Sequence, residues 1–177
     1  MSNKYDCTED VKEHKERVSY WVRCFTELMT RRAENHDNSK LGGFERATFN
    51  LWTPRLKEVE FGSAEYKAAL EGMGDALKHH YENNRHHPEH YPNGVNGMTL
   101  HDLVEMVCDW MAAAQAKGTT INLAYLKERF GISDQLVEII NNTLREEDFY
   151  NQINGVPVGY FSVDGPSIPE NMREILD

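Results

Sequence analysis

Apolar residues in the first 35 positions, Val11, Val18, Trp21, Val22, Phe25, Leu28 and Met29, recur at the three- and four-residue steps that place them on one side of an α-helix. Thr8 stands just ahead of the run and is the expected N-cap. The pattern stops at His36-Asp37-Asn38-Ser39-Lys40, and Gly42-Gly43 then loosens the chain. A second helix is expected over 45–52, closed by Pro54, whose ring removes a backbone donor. Tyr66, Leu70, Met73 and Leu77 carry a third to His79-His80, with Ser63 a weak capping signal. Residues 83–97 hold Pro88, Pro92, Gly94 and Gly97 and are predicted to be largely loop.

Thr99 is the expected cap of a fourth helix, in which Leu100, Leu103, Val104, Val107, Trp110 and Met111 form the apolar stripe, Asp102 supplies acid to the first turn and Gly118 ends the run. Two shorter helices are expected near 123–130 and 133–144, separated by Gly131. The last 27 residues are rich in Gly and Pro and are expected to run as an extended tail, with a short hairpin tolerated around 156–163. The expectation is an all-α, single-domain helical bundle of about five to seven helices over residues 1–150, with 151–177 as a C-terminal tail packing on it.

Charge narrows the partners. The chain carries 29 acidic against 19 basic residues, a formal charge of −10, which argues against nucleic acid and favours small ligands or basic partners. Cys7, Cys24 and Cys108 lack the close spacing of a zinc or redox pair and read as free thiols in a reducing compartment. With no apolar segment of membrane-spanning length and no signal-like start, the expected location is the cytoplasm. Trp21 and Phe25, on the first helix, are candidates for a homodimer face.

Five of the eight histidines, His79, His80, His86, His87 and His90, fall within 12 residues. A solvated polar loop accounts for any one of them; five together point to divalent metal, for which imidazole is a preferred ligand. Asp37 is the candidate bridge of a two-metal site, and His36 beside it a candidate ligand. His80 and His87 are seven residues apart, close to two helical turns. Asp109 adds a ligand from another helix, with Glu105 one turn earlier. An acid at each of these stacked positions needs metal or a hydrogen-bond partner if the face is buried, or lies in water at the stripe's edge.

The segments His36-Asp37-Asn38-Ser39-Lys40, Asn84-Arg85-His86-His87-Pro88-Glu89-His90 and Glu105-Met106-Val107-Cys108-Asp109-Trp110 together resemble the metal signature of the HD-domain superfamily of metal-dependent phosphohydrolases, and a small uncharacterised phage and bacterial family related to it. The resemblance spans roughly residues 10–116. It implies His36, Asp37 and Asp109 as shared ligands, and His80 with His86 or His87 as the imidazoles of two-metal members. It also implies a bacterial or phage-infected host cytoplasm. The tandem His86-His87 is similar to the cyclic-dinucleotide branch, from which the following residues depart. Such members usually supply a ligand from the first helix, where His14 is the candidate. In one straight helix, however, His14 would stand roughly 33 Å from His36, so either the chain folds back or His14 has another task.

Lys40 and Arg85 are candidates for the substrate's anionic group, and Glu89 for orienting or deprotonating a water. The cofactor expected is one or two divalent ions, Mn, Fe, Zn, Mg, Co or Ni. The expected function is hydrolysis of a nucleotide or other small phosphate ester by metal-activated water. Two other readings stay open: an HD-like di-iron oxygenase, and a non-enzymatic phage interaction protein in which metal staples a loop.

Overall fold

The computed structural model describes residues 5–145, in which six α-helices are joined by short turns and no strand occurs. The helices are α1 (Thr8–Asn35), α2 (Gly43–Glu58), α3 (Ala64–Asn83), α4 (Leu100–Lys117), α5 (Leu123–Phe130) and α6 (Asp134–Arg145). Single 3-10 turns occupy Asn38–Leu41, Pro88–His90 and Gly94–Gly97. The chain is all-α, and no described helix is long and apolar enough to cross a membrane. The whole of the expected tail, 151–177, including the hairpin at 156–163, lies outside the described residues.

Chain packing divides the molecule into two compact units, one ending at His36 and the other beginning at Asp37. The first is α1, an unbroken helix closed at His36, whose backbone N–H donates to Ala33 O. Glu–Arg pairs four residues apart, Glu13 with Arg17 and Glu27 with Arg31, support it locally. Thr8 proves to be its first residue rather than its cap. Its amide and hydroxyl both donate to Asp6 Oδ1, so the side-chain acceptor lies two residues earlier than the pattern suggested.

In the second unit α2 packs along α3, and the core lies between α4, α5 and α6. There Met111, Ile121, Leu123, Leu126, Ile132, Ile140 and Leu144 are buried together. Each such side chain contributes about 1.5–3 kcal/mol by leaving water. Pro54 does not close α2 but sits inside it. The lost backbone bond is outweighed by packing, since the Trp52 ring lies against the backbone of α3 at Gly72, where a Cβ would stand 2.4 Å from it. Ser63 does cap α3, accepting from Tyr66 N at 3.1 Å. Gly74, at φ 49° and ψ −126°, breaks the helical run within α3.

Thr99 caps α4 as expected, in a reciprocal box: its hydroxyl accepts from Asp102 N, and Asp102 Oδ2 accepts from the Thr99 amide and hydroxyl. Gly118 and Gly131 close α4 and α5 at the expected positions. The face of α4 turned inward differs from the apolar stripe. Asp102, Glu105, Met106 and Met111 are buried, whereas Leu100 and Val104 are exposed. The buried face thus combines the partnered acids Asp102 and Glu105 with Met106 and Met111, and Val107 and Trp110 pack against the core.

Candidate metal centre

The second unit opens with Asp37 in the left-handed region, φ 57° and ψ 17°, the one non-glycine residue with positive φ among those described. Aspartate tolerates this conformation better than most residues. The turn that follows brings Lys40 back to donate from Nζ to Asp37 Oδ2. The last turn of α3 supplies His80, 1% exposed, and the segment after the helix supplies His86, 2% exposed, and His87. Asn84 and Pro88 hold that segment in turns: His87 N donates to Asn84 O, and Tyr91 N to Pro88 O.

Three imidazoles converge on Asp37. His80 Nε2 is 3.3 Å and His86 Nε2 3.6 Å from Asp37 Oδ1, and His80 Nε2 is 2.9 Å from His87 Nε2. Ligand atoms of Asp37, His80, His86 and His87 lie within 4.8 Å of one another, and those of Asp37, His86 and Asp109 form a second, overlapping group. Two atoms each about 2.1 Å from a common ion stand about 3.0–3.4 Å apart, so these separations suit a divalent cation.

The far edges of two rings are held by buried carboxylates. His80 Nδ1 is 3.1 Å from Glu45 Oε2 on α2, and His86 Nδ1 is 3.2 Å from Glu105 Oε1 on α4. A proton on each Nδ1 satisfies the carboxylate and leaves the Nε2 lone pair facing Asp37, the tautomer a metal-binding imidazole needs. Glu45 is 1% exposed and also takes His79 Nδ1 at 2.6 Å and the Ser39 hydroxyl at 2.9 Å. Burial opposes its ionisation, but the hydrogen bonds from His79, Ser39 and His80 outweigh that and hold its pKa below the usual carboxylate value. Burial, with the nearby Lys40 charge, pushes His80 down against the pull of Asp37 and Glu45. His80 is therefore neutral, and ready to ligate, at neutral pH.

Other candidates stand elsewhere. The Arg85 guanidinium donates to Asp102 at 3.3 and 3.2 Å, so it fixes the start of α4 rather than facing the cluster. Burial opposes ionisation of Asp102, but bonds from Thr99, Tyr91 and Arg85 hold it charged well below the usual range. Glu89 pairs with Arg129 at 3.2 Å and is not a member of the imidazole groups. His14 lies within the unbroken α1, so the chain does not fold back there, and the helix keeps it roughly 33 Å from His36. His36 ends the first unit and is bonded directly to Asp37. Sequence reasoning missed Glu45, because an acid in a helix's first turn ordinarily reads as a complement to the helix dipole. It flagged Glu105 as needing a partner; that partner is His86.

A cavity of about 310 Å³ opens from this centre. His80, His87, Asp109 and Lys40 line one end, and α2, α3, α4 and α5 form its walls. Four cationic residues, Lys40, Lys57, Lys117 and Arg129, line it against one carboxylate, Asp109. Lys40 is paired with Asp37 and Arg129 with Glu89, so Lys57 and Lys117 are the lining cations without a carboxylate partner among the ion pairs described, a modest bias toward an anion.

Fold and site define an all-helical protein with a buried imidazole–carboxylate centre opening on a cation-lined cavity. The sequence profile of a family of unknown function, DUF5662, matches residues 3–146, and the chain belongs to that family. No curated protein and no solved structure matches it.

Proposed function

We propose that this protein is a metal-dependent phosphohydrolase acting on small phosphate esters. The observation that carries the reading is the pair of imidazoles, His80 and His86, each held at Nδ1 by a buried carboxylate and presenting Nε2 to Asp37 at the mouth of a cation-lined cavity. The resemblance to HD-domain phosphohydrolases accords with it. Asp37, His80, His86, His87 and Asp109 would hold one or two divalent ions, with His36 a further ligand on the sequence pattern. A bound ion of this kind supplies Lewis acidity toward a phosphoryl oxygen and lowers the pKa of water. Lys40 lines the cavity beside Asp37 and offers its ammonium to the anionic group, and its charge adds to the burial that lowers the His80 pKa. Met73, Leu77 and Trp110 form an apolar stretch of the adjoining wall.

The test is elemental analysis of wild type and Asp37→Ala, followed by assay of a phosphate-ester panel with added manganese. Wild type is expected to retain metal and release phosphate. Asp37→Ala should lose most of the metal and at least about 100-fold in kcat/KM, of the order seen when one electrostatic group is removed from such a site. Equal metal content in both proteins would overturn the ligand assignment. Iron with a visible absorption band and no phosphate release would favour oxygen chemistry.

A further inference from the structure

The wall of the cavity changes character within one helical turn of the centre. On α3, His80 is followed back along the chain by Leu77 and Met73, and on α4 Asp109 is followed by Trp110, Ala113 and Ala114; all line the cavity. On α4 the spacings of Asp109 with Ala113 and of Trp110 with Ala113 and Ala114 put these side chains on neighbouring positions of one side of the helix, and on α3 Leu77 stands one turn before His80, with Met73 ahead of the break at Gly74. The two alanines leave room where a larger side chain would fill it. Hydroxyls line the cavity at Thr53, Tyr66, Tyr81, Thr119 and Thr120, but they stand among a larger apolar set that includes Phe49, Leu70 and Leu126. Asn122 Oδ1 already accepts from Tyr125 N. A sugar joined directly to a phosphate at Asp37 would set its hydroxyls against Leu77, Met73 and Ala113. Polar hydroxyls set against those apolar side chains would lose water there, whereas an alkyl or aryl group would gain contact.

The geometry points to an amphiphilic substrate: a phosphate monoester whose anion sits at the His80, His87 and Asp109 end and whose organic part is a compact apolar group, aryl or short alkyl, packed on Met73, Leu77, Ala113 and Trp110. The assignment rests on the hydrolase reading for the reacting end alone; the apolar subsite stands on the cavity. Volume sets an upper limit, because about 310 Å³ is at the small end of ligand pockets. Lys40 and Lys57 at the α2 wall add attraction for the anion.

The experiment compares manganese-loaded full-length protein on methyl, ethyl, butyl, hexyl and phenyl phosphate and on nucleoside monophosphates. In parallel, methyl- and hexylphosphonate are titrated into metal-free protein by calorimetry. Burial of each methylene is expected to raise kcat/KM roughly 3- to 4-fold until the cavity is full. Hexyl phosphate should exceed the nucleotides by at least about tenfold, and hexylphosphonate should bind more tightly than methylphosphonate. Ala113→Phe should flatten the hexyl-to-methyl ratio in both series. Turnover that is indifferent to chain length, or faster on nucleotides, would overturn the apolar subsite and leave the hydrolase reading standing. Chain-length-dependent phosphonate binding without hydrolysis of any ester would do the reverse. Neither binding nor hydrolysis would overturn both.

Discussion

Glu45 and Glu105 act on the centre through the rings they hold. A neutral imidazole can carry its proton on either nitrogen, and a buried carboxylate at Nδ1 selects the form with Nε2 available. Glu45→Gln keeps the size of the side chain but loses the charge that favours a proton on His80 Nδ1. It is expected to lower metal affinity by about 10- to 100-fold in chelator competition, with the circular dichroism spectrum unchanged. His14→Ala is the companion measurement: being remote along α1, it should leave affinity within about twofold of wild type. An equal loss in both variants would show that the Glu45 effect is not local.

At the scale of elements, caps and close approaches matter more than apolar stripes. The start of α4 is held by Thr99 and Asp102, with Asp102 also bonded by Tyr91 at 2.7 Å and by Arg85. Asp102 is more acidic in the folded chain than in the unfolded one. Its contribution to stability is therefore fully present above its unfolded pKa of about 4 and is lost as pH falls through the lower folded value. The difference in urea midpoint between wild type and Asp102→Asn should be full at pH 6 and shrink by pH 3; a pH-independent difference would rule out this linkage. The α2–α3 contact is tested at Gly72. A methyl group there meets the Trp52 ring, and Gly72→Ala is expected to destabilise by about 1–3 kcal/mol in chemical denaturation, despite alanine's higher helix propensity. A gain in stability would mean that the ring moves freely aside.

Over the whole molecule, the centre joins a turn, α3, the segment after it and α4, so an ion held there ties separate parts of the second unit together. Binding to the folded state alone stabilises by about 2.7 kcal/mol at a hundredfold excess over Kd. Metal removal should thus lower Tm measurably in wild type and have no effect on Asp37→Ala; the same shift in both would place the ion elsewhere.

Helix positions, the Thr99 cap and the glycine stops were legible in the sequence because they depend on residues three or four apart. The crowding of histidines around 79–90 was legible for the same reason. Pro54 misled, since its local cost is offset by the packing of Trp52 on Gly72, 20 residues apart in the chain, and the ion pairs of Arg85 and Glu89 with residues of α4 and α5 lie beyond the reach of local spacing. Only tertiary structure decided that Glu45 meets His80, a pairing 35 residues apart, and that Glu105 meets His86. Such contacts depend on how helices rotate when they pack, and that rotation answers both to apolar burial and to the partners each buried polar group must find.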